Sequence, residues 1–313
     1  MSLQFRSAVV AALVSFSPGC ASVSPQNVAT AAAAASTPPL ADVVADTRTL
    51  EQPTNAARLD AVQTLLHTCG IPFTLQSFTN GARQRDPREQ GHNIVIEPFG
   101  GDGPHIIVGA HLDIVPLSGG GHSRGMVDNG AGVIVLTRVA EALRTHRLRH
   151  RFQFVFFAME EDGLQGSAFF AKSVDRATVT SMVNVDIAGY GDTIMSGPTA
   201  GTGTAPLHQA LARVCAAHDF TCLRFAAFPA GDDRSFQAAS IPAISMAVLP
   251  ALEAHQVWLL LNGGKESGLA AGFTPAILRT IHTSADNGDK LSAEGMTLIY
   301  NAVLGLLLEL DAR

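Results

Sequence analysis

The sequence predicts an α/β fold with a mixed, largely parallel central sheet and helices on both faces. Two continuous apolar runs, 105–111 and 152–158, read as strands buried on both sides, the pattern of a covered parallel sheet. Segments with helical spacing of apolar residues stand between and after them. That alternation calls for right-handed crossovers. The composition suits such a body: 47% of the 313 residues are apolar and 15% charged, with 29 Gly and 16 Pro to punctuate the elements.

In chain order, residues 1–20 read as a signal peptide or lipoprotein leader. Arg6 precedes an apolar stretch from Ala8 to Phe16, too short for a stable span, which takes roughly 20 apolar residues. Cys20 sits between Gly19 and Ala21, a setting for cleavage and acylation as well as for plain cleavage nearby. The expectation is an exported protein, periplasmic or extracellular, with a possible membrane tether through Cys20. Residues 21–53 are rich in Ala, Ser, Thr and Pro, including Ala31 to Ala35, and read as a tether with helical tendency after Leu40. A single catalytic domain is expected over 54–313, its folded part starting between residues 40 and 55.

Within it, Ala56 to Leu66 has helical spacing and Phe73 to Phe78 alternates like a strand. Strands are expected at His92 to Ile96, His105 to His111, Phe152 to Ala158 and Met182 to Ile187. Helices are expected at Gly130 to Leu143, from Ser167 onward and at Ser292 to Leu310. The net charge of −6 argues against a nucleic-acid surface, which needs a clustered basic stripe. Of the four cysteines, Cys215 and Cys222 are near enough for a local disulfide in an exported chain, with two buried thiols as the alternative. No Cys pair has the spacing of a structural zinc site.

Ligands of open α/β sheets collect beyond the carboxyl ends of the strands. The residues there are metal-ligand types: His111 and Asp113 after one strand, Glu160 and Glu161 after the next, and Asp186 in a third. Asp128 precedes a helix, and His282 lies in a loop. Singly, each has a plainer reading: a hydrogen-bonded histidine, an N-cap aspartate, an acidic pair at a helix start. Together, so many ionisable groups at buried strand ends would repel one another and lose hydration unless cations neutralised them.

Five segments carry a resemblance: Gly109-Ala110-His111-Leu112-Asp113, Val127-Asp128-Asn129-Gly130-Ala131-Gly132, 158–167 around Glu160-Glu161, 184–190 around Asp186, and Ile281-His282-Thr283. In this order, between residues 92 and 292, they resemble metallopeptidase family twenty-eight. That family contains bacterial leucyl aminopeptidases, glutamate carboxypeptidases and glutaminyl cyclases. The resemblance implies a zinc-peptidase-like three-layer fold and two Zn2+ per chain, one held by His111 and Asp186, the other by Glu161 and His282, with Asp128 bridging. It makes Glu160 the general base, beside a water whose pKa the metals lower. Asp113, two positions after His111, is expected to orient the imidazole. Cobalt or manganese also suits such a nitrogen and oxygen site.

Gly231-Asp232-Asp233 resembles the family's Ser-Asp-His element, with Gly231 in place of Ser and Asp233 in place of His. Asp232 is expected to support the site. Some aminopeptidases of the family carry a Tyr four residues earlier that bonds the oxyanion; Phe228 stands here. Asp286 is expected as a further supporting or substrate-binding residue. Trp258, in the long connection from Glu253 to Thr280, is expected either to wall the substrate pocket or to lie on an extra helix packed on the core. The expected function is a di-zinc exopeptidase acting on peptides, an aminopeptidase first. The alternatives are a carboxypeptidase on acidic C-termini, a single-zinc glutaminyl cyclase, and a non-enzymatic zinc-stabilised binding module. The last would need a damaged base or ligand set, and none is visible.

Overall fold

The computed structural model describes residues 40–79, 90–264 and 268–313. The leader, Cys20 and the tether up to residue 39 lie outside the described residues. The chain enters through α1 (Leu40–Thr49) and α2 (Asn55–Thr68). Val43 and Leu50 are buried in the main core, so residues 40–53, grouped with the tether from composition, are part of the folded body. Val44 also packs against that core, which a composition count does not see.

The strands are β1 (Phe73–Thr79), β2 (Gln90–Ile96), β3 (Phe99–Gly100), β4 (His105–His111), β5 (Arg151–Phe157), β6 (Val179–Val185), β7 (Thr193–Gly197), β8 (Cys222–Arg224) and β9 (Ala243–Leu249). They form one sheet in the order β1-β2-β5-β4-β6-β9-β7-β8, with β3 pairing off this path to β5. The central run β5-β4-β6-β9 is parallel. Antiparallel pairs flank it, β1 with β2, β2 with β5 and β7 with β9. The mixed, largely parallel expectation holds, and its parallel part lies where the sequence is most continuously apolar.

Side-chain alternation explains why those runs are apolar on both faces. Ile106, Val108 and Ala110 of β4, with Phe152, Phe154 and Phe156 of β5, enter the main core. There they meet α2, α3 (Ala131–Leu143), α5 (Ala205–His218) and α8 (Ala293–Asp311). Ile107, Val155 and Phe157 point the other way and pack with Phe170 of α4 (Gln165–Ser173) and Phe236 of α6 (Asp233–Ala238). A third apolar cluster joins β7 and β9 to Ala254 and Val257 of α7 (Ala251–Asn262). Gly109 keeps the second face close, because a Cβ there would stand 2.4 Å from the Phe157 ring.

The expected strands and helices appear with shifts of one to three residues at most ends. Elements β7, β8, α5 and α6 occupy stretches that the sequence left unassigned. A disulfide joins Cys215 of α5 to Cys222 of β8, and Cys69 is the free cysteine among the described residues. Among those residues one helix, α8, is long and apolar enough to cross a membrane, but Met296, Ile299, Val303, Leu306 and Leu307 are buried in the core.

Candidate active site

The parallel register aligns the strand ends. His111 of β4 pairs with Phe157, so Ala158 to Glu161 continue beyond β5 at the level where His111 ends β4. Gly109 pairs with Asn184 of β6, which brings Asp186 level with His111 two residues on. Two loops complete the site. The loop before α3 brings in Asp128, and His282 comes from the long connection before α8.

Their side chains meet. His111 Nε2 lies 2.9 Å from Asp128 Oδ1 and 3.4 Å from Asp186 Oδ1. His282 Nε2 lies 3.2 Å from Asp128 Oδ2 and 3.1 Å from Glu161 Oε2. Two groups thus form, His111–Asp128–Asp186 and Asp128–Glu161–His282, the ligand-type atoms of each within 4.8 Å of one another. Each group uses a different oxygen of Asp128. Glu160 joins a third such grouping with His111 and Glu161.

Asp113 sits behind this cluster. Its carboxylate accepts the backbone N–H of Glu160 and of Glu161, both at 3.1 Å, and its Oδ1 is 3.5 Å from His111 Nδ1. It therefore fixes the turn that presents both glutamates as well as facing the imidazole. Asp286 supports the other side, accepting from Met126 N at 3.0 Å, Val127 N at 2.7 Å and Asp128 N at 3.1 Å. Asn129 donates through Nδ2 to Val185 O at 2.7 Å and so ties the Asp128 loop to the end of β6.

Electrostatics mark the site as short of positive charge. Burial alone would lower the His111 pKa, yet Asp113, Asp128 and Asp186 together raise it well above 6.5. Asp128 and Glu161 lift His282 to about 10. Burial raises Glu160 well above the usual carboxylate range, and it pushes Glu161 up to about 7 against the pull of His282. Protons are thus recruited where divalent cations would otherwise offset the carboxylates. His111 Nδ1 and Asp186 Oδ1 are buried without a hydrogen-bond partner. Two imidazoles and three carboxylates, one of them offering an oxygen to each side, are a donor set that suits a pair of zinc-like ions.

A family model, Peptidase family M28, matches residues 93–307. The chain belongs to peptidase family M28. Leucine aminopeptidase 2 of Trichophyton rubrum is 38% identical over 84 residues, 26% of this chain and 16% of that protein. Aminopeptidase Y of Saccharomyces cerevisiae is 34% identical over 85 residues, 27% of this chain and 15% of that protein. The aligned stretch thus spans about one-sixth of the length of the curated relatives it matches.

Solved M28-type structures share the fold. The LapA aminopeptidase of Legionella pneumophila superimposes with a TM-score of 0.65 at 18% identity, over 92% of this chain and 75% of that one. The zinc aminopeptidase of Bacillus subtilis gives 0.58 at 19%, over 71% and 51%. The glutaminyl cyclase of Porphyromonas gingivalis gives 0.65 at 18%, over 92% and 98%.

In this M28 chain the remaining candidates divide. Asp232 is fully buried with neither carboxylate oxygen hydrogen-bonded, and burial pushes its pKa to about 8; its charge also acts on Glu160. Asp233 turns instead to the sheet, accepting from Ser245 Oγ at 2.7 Å and Gln237 Nε2 at 2.8 Å. A Cβ at Gly231 would stand 3.2 Å from Asn184 Nδ2 and 3.5 Å from Asp186 Oδ2, so the chain passes close to the cluster there.

Trp258 lies on α7 and donates to Arg224 O at 3.1 Å. It lines an open depression of about 750 Å³ with Thr199, Arg224, Ala226, Ala227, Leu261 and Asn262, and none of these is a cluster residue. Its place on α7 matches the extra-helix alternative, and α7 packs through Val257 in the same apolar cluster as Val127. The sequence reading missed Arg58, a fully buried arginine of α2. It also missed Asn55, which bonds both Ile114 N and Ile114 O just past Asp113. The only sequence signal for Arg58 was a charge placed amid helical apolar spacing.

Proposed function

We propose that this chain is a di-zinc aminopeptidase that removes N-terminal residues from short peptides. The observation that carries the reading is Asp128, whose Oδ1 faces His111 and whose Oδ2 faces His282, so that one carboxylate belongs to two ligand groups at once. His111 and Asp186 would hold one ion, Glu161 and His282 the other, and Asp128 both. When bound, the pair would polarise the scissile carbonyl and bring the pKa of an attacking water towards ~7.

The chain's own groups do the rest. Glu160 lies outside both ion-pair groups, and its partial burial gives the carboxylate a raised affinity for protons. It takes the proton from the attacking water and passes it to the leaving amine. Asp113 holds Glu160 at that place through the backbone. Phe228 carries no hydroxyl, so the developing oxyanion has no phenolic donor from that position.

Aminopeptidase rather than carboxypeptidase action is favoured by the curated relatives, which carry aminopeptidase names. Export, with a leader over 1–20 and possible lipidation at Cys20, is part of the same proposal, and the Cys215–Cys222 disulfide favours an oxidising compartment. A second reading, a single-zinc glutaminyl cyclase, is favoured by size alone, since the Porphyromonas gingivalis enzyme is covered over 98% of its length. The test combines metal counting with a peptide panel. Two zinc ions per chain and release of free amino acids only from peptides with open N-termini support the first reading. One zinc with pyroglutamate formation supports the cyclase. Turnover that survives both chelation and Glu160→Ala overturns the metallopeptidase account.

A further inference from the structure

We propose that Arg58 is a positioning residue for Asp128, acting with Asp286 as a two-sided clamp on the loop Arg124 to Gly130. The proposal rests on the reading of Asp128 as the shared ligand. Arg58 projects from α2 into the interior and is fully buried. Its Nη1 donates to Leu50 O and Arg124 O, both at 3.0 Å, and its Nη2 donates to Gly125 O at 2.7 Å. Nε has no partner, and Arg58 makes no direct ion pair among the described residues.

Burying a guanidinium without a contacting carboxylate is costly, and an apolar side chain would fill the same space without that penalty. What the arginine adds is a fork that seizes the carbonyl side of one short loop. Asp286 seizes the opposite side, taking the N–H groups of Met126, Val127 and Asp128. Burial lowers Arg58 to about 10, and the charges opposing that fall are Asp286 first, then Asp113 and Asp128. The cation is therefore held by the acids around the site without touching them.

The loop is built to close around this grip. Gly130 N donates to Gly125 O at 2.9 Å. A Cβ at Gly130 would lie 2.9 Å from Arg58 Nη2. Gly125 has φ +54, and a Cβ there would lie 2.8 Å from Asp128 O. Asp128 thus sits in one wide helical turn, Met126–Gly130, whose N–H groups are taken by Asp286 and whose entry carbonyls, Arg124 O and Gly125 O, are taken by Arg58. An aspartate that must offer one oxygen to each of two partners needs its main chain set within a few tenths of an ångström.

The test uses the full chain. In Arg58→Met, amide exchange at 126–130, measured on metal-free protein, should accelerate at least tenfold relative to the β4 and β5 amides. Zinc affinity from chelator competition should weaken at least tenfold, and the absorption bands of the Co2+-loaded protein should change. Arg58→Lys, which keeps charge and reach but not the fork, should recover part of each. Unchanged exchange at 126–130 together with zinc affinity within twofold of wild type overturns the clamp, however much overall stability falls. If Arg58→Met does not fold, Asp286→Asn is read in the same way, because it sets an NH2 against the Asp128 N–H, and the same pair of unchanged values overturns the proposal. A wild-type zinc count other than two refutes the di-zinc reading, whereas loop exchange in the metal-free protein reports on the clamp alone.

Discussion

Asp233 offers a pH test whose size follows from its surroundings. Its side chain is 1% exposed and receives hydrogen bonds from Ser245 and Gln237, yet burial still raises its pKa from 3.8 to about 7. With the folded value above the unfolded one, the native state holds more protons between pH 4 and 7. Stability therefore falls as pH rises through that window and levels off above about 7. At about 1.4 kcal/mol per pKa unit, the full loss is about 4 kcal/mol, of which about 3 falls between pH 5 and pH 8. Asp233→Asn removes the titration and adds a pH-independent offset of about 1 kcal/mol for altered hydrogen bonds. Urea unfolding of both proteins, metal-free, at pH 5 and pH 8 gives the difference directly. Wild type should lose about 3 kcal/mol relative to the variant across that interval. A wild-type-minus-variant difference that stays constant to within 1 kcal/mol would show that Asp233 is ionised throughout and that the two donors outweigh its burial.

Four further outcomes are expected. Glu160→Gln should lower kcat by about 10²- to 10⁴-fold while leaving the zinc content unchanged, as measured by steady-state kinetics and elemental analysis. Replacing Cys215 and Cys222 by Ser, seven residues apart, opens a small loop and should cost about 2 to 3 kcal/mol in denaturant unfolding. Gly166→Ala would put a Cβ 2.3 Å from Ala158 O and from Asn93 Oδ1, and should destabilise by about 1 to 3 kcal/mol with loss of activity from the adjoining Glu160 turn. Chelation should lower the thermal midpoint on the order of 10 °C, since an ion present at a thousandfold its Kd contributes about 4 kcal/mol; an unchanged midpoint would mean that no metal is held.

Much of the centre of the fold could be read directly, because a strand covered on both faces has no polar positions to disguise it; β4 and β5 are such strands. The site followed from the same cause, since His111, Glu160, Glu161 and Asp186 lie at or just past strand ends, where ligands of open sheets gather. His282 has no strand to announce it; its residue type made it a candidate, and the family resemblance assigned it to a particular ion. Strands β7 and β8 are short, and α5 carries a weak apolar stripe, so local pattern said little; β7 is identified by its pairing with β9, a contact across about fifty residues. The long connection around Trp258 carried no strand or cap signal, and it folds largely as α7, from which the indole donates to Arg224 O. Arg58 was illegible for a deeper reason. A helical arginine is nearly always a surface residue, and nothing local reveals that carbonyls from residues 50, 124 and 125 will converge on it.

The helix α8 is apolar enough to settle in a bilayer, and its place in the folded protein is between α1, α3 and α5. Until it is made and docked, those three helices keep their greasiest sides uncovered, so the chain cannot finish folding in order of its synthesis. When α8 docks, Met296 meets the Thr47 hydroxyl of α1, nearly two hundred and fifty positions away.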